Sequence, residues 1–297
     1  MLNNFWELNG KFRTVDSMEE FYNSLEISRH LCDILYKPDK MSPIDSKTKR
    51  IKGVVFENIS FSKTTFENIL FEDCTFKDCL FIGSRFNRCR IKNCNFICVN
   101  MAYCSFSNTY VRPDNLKNIF LRPIGYENIA VSFYQNLFDS LRESNQTRLA
   151  SEAEYYFMYW DKRYNLYKLK KEITSADRKV FMTLKQIYVC IICILFSFVG
   201  YGIRVRNYVY TSLSIYILFF MWNKYWWKEF HFTSLFPMED PSWYHILFFT
   251  FYTVTSLGAA PEASMSQWGI LSAMFEGVIG WLLLGIGLAM IIKKIVR

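Results

Sequence analysis

Large apolar residues recur at every fifth position through the first part of the chain. Phenylalanine occupies positions 56, 61, 66, 71, 76, 81 and 86, and the series continues through Ile91, Phe96, Met101, Phe106 and Val111. A smaller residue precedes each of them by two positions, and the positions between are mostly polar. Neither the 3.6-residue period of a helix nor the two-residue period of a strand produces this spacing. The pattern therefore predicts a stacked repeat fold with the large and small residues facing inward.

A period of five with these two inward positions resembles the pentapeptide-repeat family. The resemblance implies a right-handed, four-sided β-helix with one repeat on each side and four in each coil. Twelve repeats then make three coils, stacked at ~4.8 Å as paired strands are. The open ends need caps. We expect residues 1–50 to form the N-terminal cap, and residues 51–127 to hold the β-helix with a second cap over 115–128.

Most of the cysteines belong to the repeat. Five share the small inward position, and Cys190 and Cys193 lie in an apolar run without a zinc-ligand set around them. We therefore expect buried free thiols in a reducing compartment, no cofactor and no structural metal. The five in the repeat are Cys74, Cys79, Cys89, Cys94 and Cys104. Motifs of nucleophilic, zinc-protease or phosphate-loop enzymes are missing, so no enzymatic activity is expected.

The net charge of +8 is concentrated before the apolar half of the chain. Residues 161–185 hold eight Lys or Arg and three acids. A nucleic-acid patch is one interpretation, but a juxtamembrane basic segment explains both the position and the charge. Some members of the repeat family are acidic DNA mimics, which this basic chain does not resemble. We expect no nucleic-acid partner.

Residues 128–179 have a helical pattern. Apolar residues recur at steps of three and four in two segments, 129–143 and 147–171, separated by Ser144-Asn145-Gln146. This pattern predicts a cytosolic helical hairpin that links the β-helix to the remaining residues, 180–297.

Three apolar stretches occupy residues 180–297 and predict a membrane domain. Residues 207–223 and 263–292 reach the ~20 residues that a bilayer requires, helped by flanking lysines and tryptophans. Residues 187–201 are shorter, and we expect them to lie along the inner leaflet. Because basic residues flank the start of the second stretch and the end of the third, we expect a multi-pass inner (plasma) membrane protein with both termini cytosolic. A signal peptide is not visible at the start of the chain.

The segment between the two predicted crossings resembles a channel pore. Residues 241–261 are too short to cross and return as two helices, whereas a half-crossing helix followed by extended chain fits if four subunits shield the backbone. The run Thr253-Val254-Thr255-Ser256-Leu257-Gly258 resembles the Thr-x-Thr-Thr-Val-Gly filter of two-transmembrane potassium channels. The order of elements over residues 54–297 also resembles bacterial proteins that join pentapeptide repeats to this module. The resemblance implies a homotetrameric cation channel.

The filter departs from the potassium-channel pattern after its first glycine. The resemblance assigns the ion pathway to Thr255, Ser256, Leu257, Gly258, Ala259, Ala260 and Glu262. Potassium channels continue Gly-Tyr-Gly-Asp, whereas this chain has alanine at 259 and 260. The glycine conformations of the filter are costly for alanine. We therefore expect weak selectivity among monovalent cations, with Glu262 concentrating cations at the mouth.

The last apolar stretch contains one carboxylate, Glu276. A carboxylate within a membrane is expensive, so it is a candidate functional residue. It either hydrogen-bonds to the back of the pore loop or lines the pore as an ion site. Gly277, Gly280 and Gly285 either act as hinges of a gate or allow close helix packing.

Two functions follow from these patterns. The first is a cation channel gated through its cytosolic repeat domain by an unknown ligand or protein. The alternative is a membrane-anchored repeat scaffold that recruits partners and carries a vestigial pore.

Overall fold

The computed structural model describes residues 6–44, 47–117, 119, 126–174, 180–231, 241–255 and 264–295. The chain divides into two compact units, Met1–Cys193 and Ile194–Arg297. Each unit is described by itself below.

The first unit begins with a stack of short parallel strands and one helix, α1 (Met18–Ile27). Strands before the periodic region are β1 (Arg13–Val15), β2 (His30–Tyr36), β3 (Lys40–Met41) and β4 (Lys49–Lys52). Those within it are β5 (Val55–Ser60), β6 (Thr65–Glu67), β7 (Ile69–Glu72), β8 (Thr75–Lys77), β9 (Arg85–Asn87), β10 (Arg90–Lys92), β11 (Asn95–Ile97), β12 (Ser105–Ser107) and β13 (Tyr110–Val111).

The strands from β4 to β13 pair with one another in parallel at a register of twenty residues. Phe56 pairs with Phe76, which pairs with Phe96, and the same register joins the strands of two further sheets. A fourth side has isolated parallel bridges, from Ser60 to Leu80 and from Leu80 to Asn100. Four repeats of five residues thus complete one coil. These parallel sheets confirm the predicted β-helix-like fold.

The inward phenylalanines form columns of stacked rings. Phe76 lies between Phe56 and Phe96, with ring centroids 4.9 and 5.1 Å apart. Phe86 lies in the same way between Phe66 and Phe106, at 4.8 and 5.2 Å. All of these rings are buried. Burial of so much aromatic surface, with stacked neighbours, is the main stabilising contribution to the coil.

Both ends of the periodic region are covered. Before it, β2, β3 and β4 pair with β5, β6 and β7, so residues before 51 add a further layer of strands to the stack. The ring of Phe21 in α1 packs against Phe61 at 5.6 Å. At the other end, Phe133 packs against Phe106 at 5.6 Å. It belongs to α2 (Glu127–Glu143), so this helix contributes cover in addition to the predicted segment 115–128, part of which lies outside the described residues.

Two helices, α2 and α3 (Thr147–Thr174), complete the first unit, and a third, α4 (Val180–Phe198), begins in it. α2 packs against α3, at nearly the bounds predicted for the helical hairpin. α4 continues across the division between the units. Within the first unit, the Gln186 side-chain amide donates to the backbone oxygen of Asn165 at 2.9 Å.

The second unit contains three further helices and one small antiparallel ribbon. The helices are α5 (Val205–Tyr225), α6 (Trp243–Thr255) and α7 (Gln267–Ile295), and the ribbon pairs β14 (Phe230–His231) with β15 (Ser264–Met265). α6 contacts both α5 and α7. Across the described residues, α7 is the one helix whose length and composition suffice to cross a membrane, and Leu184–Phe198 is a shorter apolar helix.

Candidate functional site

The predicted ion pathway begins at the carboxyl end of α6. Thr255 is the last residue of that helix, and its hydroxyl donates to the backbone oxygen of Phe251 at 2.6 Å. The other predicted pathway residues lie outside the described residues; they are Ser256, Leu257, Gly258, Ala259, Ala260 and Glu262. Their role therefore stays a prediction, and the described site is a hydrogen-bonded support around the last turns of α6.

Glu276 lies at the centre of that support and is only 1% exposed. Its Oε2 atom accepts hydrogen bonds from Asn223 Nδ2 at 3.0 Å and from Thr253 Oγ1 at 2.8 Å. Ser272, one turn earlier on α7, lies with its Oγ atom 3.5 Å from Oε1. The carboxylate thus joins all three helices of the unit, since Asn223 is on α5 and Thr253 on α6.

A second buried side chain extends this network along α6. Thr250 is fully buried, and its Oγ1 atom lies 3.0 Å from Asn223 Nδ2 and 2.8 Å from the Ile246 backbone oxygen. Asn223 therefore binds both α6 and α7 from the last turn of α5. Since a buried polar group left without partners is costly, these contacts fix the relative positions of the three helices.

The glycines of α7 differ in what surrounds them. A Cβ atom on Gly280 would lie 1.7 Å from the Val254 backbone oxygen, so α7 and α6 touch there through backbone alone. A Cβ on Gly287 would lie 2.5 Å from the Tyr208 hydroxyl, which donates to the Leu283 backbone oxygen at 2.9 Å. Gly285 is exposed with open space around it, and Gly277 is half-buried. Gly280 and Gly287 thus serve close packing.

Aromatic residues pack against the middle of α6, and further hydrogen bonds join the elements around it. Phe249 packs against Trp227 at 5.8 Å and against Phe230 at 4.8 Å. The Trp222 indole nitrogen donates to Ser272 Oγ at 2.8 Å, and the Ser266 backbone amide donates to the Glu229 oxygen at 3.1 Å. Contacts of Phe249, Thr250 and Thr253 therefore hold α6 from its middle to its last turn.

The arrangement fixes the last turns of α6 against α5 and α7. Hydrogen-bond donors surround Glu276, and among the described residues no group of three His, Cys, Asp or Glu side chains is placed to hold a metal ion. Glu276 binds Thr253 on α6, and the choice between its two predicted roles stays a prediction.

Sequence reasoning identified Glu276 but missed Asn223, Thr250 and Thr253 as its partners. A signal for Asn223 exists, because it is the amide that ends an otherwise apolar stretch. Thr250 and Thr253 give no such signal, because a threonine hydroxyl in a helix commonly donates a hydrogen bond to a backbone oxygen of the same helix.

The comparisons with known proteins agree with the repeat region. The family profile described as pentapeptide repeats matches residues 74–111 in eight copies. The chain therefore contains pentapeptide repeats, and the parallel coil continues the same register toward the N-terminus as far as Lys49. No curated protein matches the chain, and no solved structure matches it.

Proposed function

We propose that this chain is a subunit of a homotetrameric, potassium-channel-like cation channel in the inner membrane. The observation that carries the proposal is the position of α6, a short apolar helix packed between α5 and α7. The filter-like run Thr253 to Gly258 begins in its last turn, where Glu276 binds Thr253. Monovalent cations are the proposed substrate of transport.

The length of α6 supports a half-crossing helix. Its 13 residues extend ~20 Å at 1.5 Å per residue, which is less than the ~30 Å of the hydrocarbon core. A chain that enters to this depth must return through irregular backbone, which is tolerated only where protein or water surrounds it. Four copies around one axis meet that requirement.

The outer surface of the second unit supports a membrane setting. Side chains along α7 are largely uncovered within one chain, including Phe275, Trp281 and Leu282 at 63%, 72% and 61% exposed. An apolar surface of this extent needs lipid or other subunits to cover it. Tetramer contacts and lipid together would account for it.

The oligomeric state and the current test the proposal together. Purified full-length protein in detergent is expected to have the mass of a tetramer by native mass spectrometry. Reconstituted in planar bilayers, it is expected to carry unitary cation currents that Glu276→Ala abolishes or destabilises. A monomer or dimer, or a tetramer that carries no current under any applied voltage, would exclude the channel.

A membrane-anchored scaffold is the second candidate function. It is favoured by the repeats, which are found in eight copies, together with one helix able to cross a membrane. In a scaffold, partner proteins bind the repeat region, so a substitution at the end of α6 should not change their binding. A tetramer without current, whose repeat region retains bound proteins on purification, would favour this function.

We also propose that both termini face the cytosol, with residues 207–223 and 263–292 crossing the membrane. The basic flanks Arg206, Lys293 and Lys294 support this orientation. Reporter fusions at Met1 and Arg297 should both report the cytosolic side. Reporters on opposite sides would refute the orientation.

A further inference from the structure

A positively charged concavity of the first unit lies beside the last coil of the repeat. Its volume is about 1010 Å³, and β10, β13 and the turn between α2 and α3 form its walls. Five cationic side chains and one carboxylate line it; they are Arg88, Arg90, Lys92, Arg112, Arg148 and Glu152. A cavity of this size is in the range that holds small organic ligands.

The cations project from the coil because of the strand pattern. Ile91 points inward from β10, so its neighbours Arg90 and Lys92 point outward and are exposed. Tyr110 pairs with Arg90 on the next coil, and Arg112 follows two residues later on the same outer face. Three cationic side chains are thus held on adjacent rungs of one rigid sheet.

The carboxylates near Arg90, Lys92 and Arg112 are paired with other cations. Glu72, in register with Lys92, is bound by Arg50. Glu152 lies 3.9 Å from Arg148, measured from Oε1 to Nε. Arg90, Lys92 and Arg112 form no ion pair with any carboxylate in the described part of the chain.

Arg88 is a weaker basis for a site. Lys40, and after it Arg88, lower the pKa of the Glu67 carboxyl. Arg88 therefore already faces a carboxylate, and the inference rests on the other three cations.

The first turn of α3 forms another wall of the cavity and also favours a negatively charged ligand. Thr147 and Leu149, which line the cavity, belong to the first turn of α3, a helix of 28 residues. Amides of a first helical turn have no acceptor within the helix, and the helix dipole is positive there. Asn145, with φ at 56°, directs the chain into that turn.

We propose that this cavity, lined by Arg90, Lys92, Arg112 and the first turn of α3, binds a small ligand carrying one or more phosphate groups. Planar guanidinium groups bind phosphate oxygens in pairs. Because the cavity is larger than a pyrophosphate ion, it also accommodates an organic part beside Tyr110. The phosphates come either from a soluble compound or from a lipid headgroup. The site is independent of the proposed pore.

Calorimetric titration of the full-length protein in detergent tests the site. The probes are inorganic pyrophosphate and monomeric dioctanoyl phosphatidic acid. We expect saturable binding of one probe molecule per chain, which weakens as salt is added. The double variant Arg90→Gln/Arg112→Gln should lower the affinity about 10-fold or more. The control variant Lys63→Gln/Arg85→Gln removes the same charge outside the cavity and should bind as the unsubstituted protein does.

The relative affinities of the two probes identify the source of the phosphate, and three other results would overturn the proposal. Tighter binding of pyrophosphate indicates a soluble ligand, and tighter binding of the phosphatidic acid indicates a headgroup. Lack of saturable binding of both probes overturns the proposal, as does equal weakening by the two double variants. Binding of a 20-base-pair DNA duplex more tightly than either probe also overturns it, because it would indicate a nucleic-acid surface. Circular dichroism should show that both double variants retain the fold.

Discussion

At the scale of single residues, the corners of the coil constrain the sequence most tightly. Twelve residues at a spacing of five have φ values between 49° and 69°. They are Gly53, Asn58, Lys63, Asn68, Asp73, Asp78, Gly83, Arg88, Asn93, Cys98, Tyr103 and Asn108. This left-handed conformation is free of strain for glycine, tolerable for asparagine and aspartate, and costly for other residues. It turns the chain from one side of the coil to the next.

Asn93 provides a test of the corners. Asn93→Val places a β-branched side chain at φ 50° and removes the hydrogen bond from Asn93 to Asp73 at 3.3 Å. The free energy of unfolding should fall by about 1–2 kcal/mol, measured by chemical denaturation of the full chain. Asn95→Val is the matched control, because Asn95 is exposed on strand β11, where valine is favourable. Equal stability of the two variants would contradict the corner argument.

The inward residues were predictable from the sequence, whereas the corners were not identified. One large apolar residue in five defines the inward phase without ambiguity. Asparagine, aspartate and glycine two positions after each large residue were a signal for the corners, but Lys63, Arg88, Cys98 and Tyr103 interrupt it. Lys63 and Arg88 are accommodated at corners with their side chains exposed to solvent.

Two of the inward cysteines, Cys79 and Cys104, should be chemically inert. Burial raises the pKa of the Cys79 thiol to about 12, and burial also raises the pKa of Cys104. A raised pKa keeps the thiol neutral up to that pH, so the reactive thiolate is scarce from pH 7 to 9. Iodoacetamide should therefore modify exposed Cys32 in the native protein and reach Cys79 and Cys104 only after denaturation. Modification of all three at one rate, followed by mass spectrometry, would contradict this.

At the scale of elements, the closest helix contact is between α6 and α7 at Gly280. Alanine normally stabilises a helix relative to glycine by about 1 kcal/mol. At Gly280 the added Cβ would meet the Val254 backbone oxygen at 1.7 Å, which forces the two helices apart. Gly280→Ala should therefore lower the melting temperature of the protein in detergent. Gly285→Ala, with open space around the site, should leave that temperature unchanged or raise it.

These two variants also separate packing from hinge motion. If both glycines are hinges, both substitutions should alter channel opening without altering the melting temperature. If Gly280 serves packing, as its surroundings indicate, only Gly280→Ala should lower the melting temperature.

Elements with a regular pattern were predictable, and irregular ones were not. The predicted segments 129–143 and 147–171 lie within α2 and α3, because helical periodicity is a local property. The strands β2 and β3 were not predicted, since they carry no five-residue period, whereas β4 continues that period with Ile51 in register with Phe71. β2 and β3 join the stack because an open coil end offers unpaired backbone groups to any strand that reaches it.

At the scale of the whole molecule, the two units satisfy their polar groups in different ways. In the first unit, the coil pairs backbone with backbone on successive rungs, and its small inward side chains bond to backbone oxygens, as Ser84 does to Phe61 at 2.7 Å. In the second unit, the carboxylate of Glu276 on α7 accepts hydrogen bonds from side chains of α5 and α6. Glu276 was predictable as a lone charge in an apolar stretch. Its partners depend on three-dimensional packing that no local pattern encodes.

The selectivity of the proposed channel follows from how the filter departs from the potassium-channel pattern. Potassium selectivity depends on stacked rings of backbone oxygens that replace the hydration shell of the ion. Ala260 is poorly suited to the glycine conformation of the outer rings, and position 259 lacks the tyrosine that braces the filter of the family it resembles. Ions should therefore pass partly hydrated, with weak preference between sodium and potassium.

Reversal potentials under opposed sodium and potassium gradients measure this preference. We expect values near zero, and a value near the potassium equilibrium potential would refute the argument. The double variant Ala259→Tyr/Ala260→Gly should shift the reversal potential toward potassium. Glu262→Gln is the control, because it removes charge at the mouth and leaves the filter backbone unchanged. It should reduce the preference for cations over anions and leave the ratio of sodium to potassium permeability as it was.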